Sequence, residues 1–172
     1  MLQIEVNLFI TQHIHIRLLE ETDRKWVSQL IKEEWSSSRI VTRGRSYNIE
    51  NLPGFIAVYK NEKVGLLTYN IENKECEIIT INSLIENIGI GTCLVRSLES
   101  FMQSKKVKRI WVITTNDNLD ALRFYQKKGF RIKAIYIDTI KESRVLKPEI
   151  PNLGFYDIEI RDEIELEKKL KC

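Results

Sequence analysis

Apolar and polar positions alternate over several short stretches of the chain before the period changes to that of a helix. His13 to Leu19 alternates, with Ile14, Ile16 and Leu18 on one face, the pattern of a half-buried strand. Thr22 or Asp23 stands where it can cap a helix whose stripe is Trp26, Val27, Leu30, Ile31 and Trp35. Ser36 to Pro53 is polar and reads as a loop or short helix. Phe55 to Tyr59 and Val64 to Tyr69 are strands joined across Lys60-Asn61-Glu62-Lys63, a hairpin. Glu75 to Asn82 follows the turn at Glu72-Asn73-Lys74 as a third strand. Such short connections predict an antiparallel meander.

The pattern then shifts. Gly91 to Ser104 is helical, with Leu94, Val95, Leu98, Phe101 and Met102 on one side. Arg109 to Thr115 carries the apolar run Ile110 to Ile113, as a strand does when both its faces are covered. Strand, helix and strand make a crossover, so 75–82 and 109–115 should be parallel. A second helix runs from Leu119 to Lys128 and stops at Gly129. Arg131 to Asp138 is a strand. Lys141 to Gly154 holds two prolines and reads as a loop with one helical turn. Glu163 to Glu167 alternates strictly and is read as a strand pairing with 131–138, although its composition also suits a helix. Residues 1–12 read as an N-terminal extension or, since Ile4, Val6 and Leu8 alternate, as an added edge strand. The sum is an α+β fold: a mixed, mostly antiparallel seven-stranded sheet with helices on both faces, in a single domain spanning 1–172.

Composition narrows the partners. A chain of 172 residues is long enough to bury a proper core. Its net charge of +3, on scattered residues, is too small to argue for nucleic acid but suits an anionic ligand. The cysteines (Cys76, Cys93, Cys172) are odd in number and form no CxxC pair, which argues against a disulfide framework or zinc site and for the cytoplasm. No apolar run is long enough for a membrane span, and Met1 to Ile10 has no basic start for a signal peptide. His13 and His15 share a strand face without a third ligand, so they read as surface side chains rather than a metal pair.

Two segments carry candidate chemistry. Glu86 to Gly91 is a glycine turn opening a helix. A helix N-terminus has unpaired N–H groups and a partial positive charge, so it can hold a phosphate. Gly89 and Gly91 lack the Cβ atoms that would keep a diphosphate away, and donors would come from Ile88, Gly89, Ile90, Gly91 and Thr92. An ordinary tight turn is the other reading. The dinucleotide fingerprint fails because Leu94 sits where its third glycine belongs, and no GK[ST] P-loop is present. About thirty residues on, Thr115 to Phe130 places Asn118, Ala121, Phe124, Tyr125 and Gly129-Phe130 at helical spacing.

Together these segments resemble the GNAT superfamily of acyl-CoA N-acyltransferases. The pyrophosphate motif [QR]-x-x-G-x-[GA] is matched in its glycines by Glu86-Asn87-Ile88-Gly89-Ile90-Gly91, with Glu86 in place of Gln or Arg. The motif N-x-x-A-x-x-F-Y-x-x-x-G-F is matched at every fixed position from Asn118 to Phe130. The segment Leu146 to Leu170 looks like one branch of uncharacterised bacterial members. The resemblance implies acetyl-CoA as cosubstrate and direct transfer of its acetyl group to an amine, on a small molecule or a peptide, in a ternary complex. It also implies an oxyanion contact from the backbone at Thr80, Ile81 or Asn82, a pantetheine contact at Asn118, and cofactor packing at Phe124. Tyr125 falls at the position of the acid that protonates the leaving thiolate; a tyrosine packed on the core is the alternative. Glu77 is the candidate base, against a surface carboxylate on a strand's polar face. Arg39, Arg43 and Arg45 would grip an acidic acceptor or form a solvated loop. Lys105, Lys106, Lys108 and Arg109 would be a solvated turn or a hold on the cofactor's outer phosphate. Cys93 is a lowered thiol at a helix start or a small filler. A non-catalytic CoA-binding sensor or interaction module is the competing class, and a homodimer through a strand edge is open.

Overall fold

The computed structural model describes residues 13–35 and 39–171. The extension or edge strand expected at 1–12 lies outside the described residues. In chain order the elements are β1 (His15–Leu18), α1 (Arg24–Trp35), β2 (Arg39–Thr42), β3 (Arg45–Asn48), β4 (Gly54–Tyr59), β5 (Glu62–Glu72) and β6 (Glu75–Ser83). They continue with α2 (Ile90–Ser104), β7 (Arg109–Thr115), α3 (Leu119–Lys127), β8 (Arg131–Tyr136), α4 (Ile140–Leu146) and β9 (Glu163–Lys169).

Seven strands form one sheet in the order β1-β4-β5-β6-β7-β9-β8, as the alternation predicts. Every pairing is antiparallel except β6 with β7, the crossover through α2. β9 is a strand rather than a helix, and it inserts between β7 and β8. Side chains alternate across the sheet. Phe55 and Ala57 of β4 join the core under α2, with Leu94, Leu98, Met102 and the α3 residue Tyr125. Ile56 and Leu66 join the opposite core under α1, with Val27, Leu30 and Ile31. Helices therefore cover both faces. No helix among the described residues is long and apolar enough to cross a membrane.

One stretch differs from expectation. Part of Ser36 to Pro53, read as a loop or short helix, is the two-stranded hairpin β2–β3, pairing Arg39 with Asn48 through Thr42 with Arg45. Its turn is Arg43-Gly44, both at positive φ (48° and 67°), the geometry of a tight hairpin turn. Ile40 is buried against α1, which ties the hairpin down. A short run with an arginine at a left-handed position gives almost no strand signal in sequence.

The entry to α1 is fixed by charge. Asp23 is 1% exposed and accepts from Arg17 Nη1 at 2.6 Å, Lys63 Nζ at 2.7 Å and the Glu20 N–H at 2.9 Å. The Arg17 hydrogen bond is the main reason its carboxyl lies far below the ordinary 3.8. A depressed carboxylate stabilises above its unfolded pKa and loses that contribution as pH falls below it. Asp23→Ala should cost about 3 kcal/mol by stranding two cations. Thermal melts from pH 7 down to about 3 should show the gap to wild type closing with acidification.

Candidate functional site

The site begins where two strands part. β6 pairs with β7 from Glu75 opposite Arg109 only to Ile78 opposite Val112, yet β6 continues to Ser83 and β7 to Thr115. Beyond Ile78 the parallel neighbours separate and leave a cleft beside Thr80, Ile81 and Asn82. A bulge at Ile79 adds a second consequence. On β5, Asn70 pairs with Glu77 and Thr68 with Thr80, so the extra residue puts Glu77 and Thr80 on one face, the α1 side. The Thr80 hydroxyl is committed to Thr68 at 2.8 Å, so Thr80 has its backbone to offer the cleft.

The cleft leads into the glycine turn. Gly89 caps α2 at φ 92°, ψ 8°, a left-handed conformation that a Cβ would strain, and no side chain caps the helix. The first helical bond runs from the Cys93 N–H to the Gly89 carbonyl. The N–H groups of Ile90, Gly91 and Thr92 are thus left without helical acceptors, a cradle fitted to a phosphate or diphosphate. Gly91 has a further reason to lack a side chain, beside the one its motif suggests. A Cβ there would lie 3.2 Å from Phe124 Cζ, so the missing side chain lets α3 approach α2. Gly65 likewise makes room for Ile90, whose Cγ2 would be 2.5 Å from an added Cβ, and so seats the helix start on the sheet. Glu86 is exposed. Burial pushes the half-buried Cys93 thiol up rather than down. The neighbouring Lys128 is lowered by its own burial and by Arg96, two cations that the sequence reading did not single out.

α3 places its motif as the spacing predicts. Asn118 caps it, its side-chain oxygen accepting from the Ala121 N–H at 3.0 Å. Phe124 is partly buried against Gly91 and the α2 core. Tyr125 is 3% exposed, with Phe124 and Phe130 edge-on at 5.2 and 5.3 Å. Burial raises its phenol far above the ordinary 10.0, and no hydrogen bond among the described residues engages its hydroxyl.

On the α1 side, beneath the hairpin, lies a cavity of about 240 Å³. Glu77 is one of its walls. It is no surface carboxylate: it is 3% exposed and accepts from the Tyr47 hydroxyl at 2.8 Å. Desolvation is the largest influence on it and lifts its pKa from 4.5 to about 7, against the pull of Tyr47, Arg45 and Arg43. Arg109 corrects another reading. It is neither a solvated turn residue nor a phosphate hold, but a cation inside the sheet, 20% exposed. It bonds Glu75 at 2.9 Å, Glu165 at 2.9 Å and Glu167 at 2.7 Å. Arg43 and Arg45 are engaged as well, with Glu165 at 3.2 Å and Glu72 at 2.7 Å, so neither stands free to grip an acidic acceptor. The sequence reading did not single out Glu163 and Glu165, which bond Arg43 of the cavity wall and, in the case of Glu165, Arg109 as well. Their signal was the strict alternation of β9, whose apolar face, Ile164 and Leu166, is in the core. Arg109→Met should cost about 3–5 kcal/mol, since three partly buried carboxylates lose their shared cation. Denaturant titration measures it, and a loss below about 1 kcal/mol would reduce Arg109 to a surface pair.

Comparison with known proteins bears on this geometry. The family model "Acetyltransferase (GNAT) family" matches residues 17–130. The protein YxbD of Bacillus subtilis is 42% identical over 146 residues, 84% of this chain and 92% of its own. The structure of the IAA acetyltransferase from Bacillus cereus superposes with a TM-score of 0.72 at 22% identity, covering 91% of this chain and 99% of its own. A Bacillus subtilis acetyltransferase solved in complex with CoA gives 0.69 at 22% identity, covering 92% and 99%. At that identity the two structures speak for the fold.

Proposed function

Since the chain belongs to the GNAT acetyltransferase family, we propose that it is an N-acetyltransferase, with residues 1–172 working as one domain in the cytoplasm. It moves the acetyl group of acetyl-CoA to a primary amine by direct transfer in a ternary complex. The observation that carries this reading is the buried Glu77, poised at about 7 on the strand that leaves its neighbour to open the cleft. A base is most useful when its pKa lies near the working pH.

When bound, acetyl-CoA supplies a thioester whose carbonyl carbon the amine attacks. The N–H groups of Ile90, Gly91 and Thr92 hold the diphosphate, and Asn118 and Phe124 border the pantetheine. A backbone N–H of β6 at Thr80 to Asn82, freed by the parted strands, meets the carbonyl oxygen as charge grows there. Glu77 takes the proton lost by the amine, directly or through water. As the N–C bond forms the C–S bond breaks, and the Tyr125 hydroxyl gives its proton to the departing sulfur. Its raised pKa keeps that proton in place until then.

The competing reading, a CoA-binding module without turnover, draws on Glu86. That carboxylate is exposed, and a solvated charge repels a nearby anion only weakly at physiological salt. Calorimetric titration with acetyl-CoA, followed by an assay of thiol release with an amine panel, tests both. Micromolar binding with amine-dependent thiol release is expected. Absence of heat up to millimolar ligand would sink the proposal, and binding without turnover would leave the module.

A further inference from the structure

Of the three glutamates that line the cavity under the hairpin, two have a cation of their own. Glu72 pairs with Arg45 at 2.7 Å and Glu75 with Arg109 at 2.9 Å. Glu77 has a neutral partner instead: the Tyr47 hydroxyl donates to its Oε2 at 2.8 Å. Its other oxygen, Oε1, takes part in no hydrogen bond among the described residues. A carboxylate fixed by one oxygen keeps the other available for a proton.

The donor is itself well held. Tyr47 lies on β3 opposite Ile40 of β2, and Ile40 is buried in the α1 core. Towards the turn, Arg45 bonds Glu72. At the turn, the Arg43 N–H bonds Glu163 at 3.1 Å, its guanidinium bonds Glu165 at 3.2 Å, and the same guanidinium lies 4.4 Å from the Tyr136 ring centroid. The hairpin is thus fastened along its length without Tyr47, and the Tyr47 bond is not needed as its latch. Burial, and after it the bond to Glu77, raises the Tyr47 phenol above the ordinary 10.0, so it remains a donor while Glu77 titrates.

The charged groups around Glu77 come in opposed sets. Arg43 of the turn and Arg45 of β3 favour its anion, and Glu165 of β9 opposes it. Glu72 of β5, Glu75 of β6 and Arg109 of β7 line the same cavity, bonded within the pairs already named. After desolvation the Tyr47 bond is the largest influence on Glu77, and it favours the anion. We infer that Tyr47 is a positioning residue for the transfer: carried in on the hairpin, its hydroxyl fixes Glu77 Oε2 and leaves Oε1 to take the proton of the attacking amine. This rests on the reading of Glu77 as the base and deepens it. The hairpin, about 30 residues from Glu77 in the chain, is then part of the base rather than only a wall.

The test compares the full chain with Tyr47→Phe and Glu77→Gln. Phenylalanine keeps the ring and removes only the donor. Carbon-13 NMR of protein labelled at the glutamate side-chain carboxyls follows Glu77 directly, its signal identified by its loss in Glu77→Gln. The wild-type midpoint near 7 should rise by about 1–2 pH units in Tyr47→Phe, the effect of one hydrogen bond to a charged group. The bend in kcat/KM should rise with it, so that activity falls about 10–100-fold below the bend and recovers at higher pH. A midpoint and a bend that both stay near 7 overturn the inference, while Glu77 remains the base if Glu77→Gln abolishes the bend. Activity lowered equally at every pH makes Tyr47 a structural latch and overturns it too. A midpoint that rises under an unmoved bend removes Glu77 as the base, and the role of Tyr47 falls with it.

Discussion

Glu77→Gln is expected to lower kcat/KM by about 10²–10⁴-fold, the range for loss of a positioned general base. The substitution is close to isosteric and neutral. Its amide oxygen can still accept from the Tyr47 hydroxyl, which reaches Glu77 at 2.8 Å, so the cavity wall should stand. Wild-type kcat/KM should rise with pH and bend near 7, where the free enzyme's Glu77 loses its proton. In the variant that bend should vanish. The stability consequence has the opposite sign to that at Asp23. Glu77 is raised from 4.5 to about 7, so between those values the folded state holds the proton more tightly than the unfolded chain does. Stability contributed by the neutral form is full below about 4.5 and declines as pH rises to about 7. Above that the buried charge is a cost, and Glu77→Gln should melt slightly higher than wild type. A bend retained in the variant would move the base elsewhere.

The sheet was legible because its strands alternate and its turns are short. Ile56 between Phe55 and Ala57 records two cores on two faces, and the run Ile110 to Ile113 records a strand covered on both sides. The glycine turn and the Asn118–Phe130 helix were legible as motifs whose spacing is local. What stayed hidden depends on residues far apart in the chain. The alternation of β9 marks Glu163 and Glu165 as one polar face. It does not say that a hairpin about 120 residues earlier covers that face, with the Arg43 N–H on Glu163 and its guanidinium on Glu165. Arg109 sits among lysines in sequence and was grouped with them; as the first residue of β7 it points across the sheet at three carboxylates. The motif gives Gly91 one reason to be small, room for an anion; that Phe124 also needs the space shows only in the packing of α3.

Tyr125→Phe is expected to lower kcat by about 10²-fold or more while leaving acetyl-CoA binding and stability nearly intact. The site makes this an unusually clean comparison. The ring is packed edge-on against Phe124 and Phe130, and phenylalanine keeps both contacts. The hydroxyl meets no hydrogen-bond partner among the described residues, so removing it strands nothing. Burial also sets its protonation. A phenol raised well above 10.0 remains an acid throughout the range in which Glu77 has become a base, so one pH window serves both groups. The loss should therefore fall on kcat, at saturating acetyl-CoA and across that whole window, with the limb near 7 unmoved. Full activity in Tyr125→Phe would return the residue to the core and leave the departing sulfur to solvent.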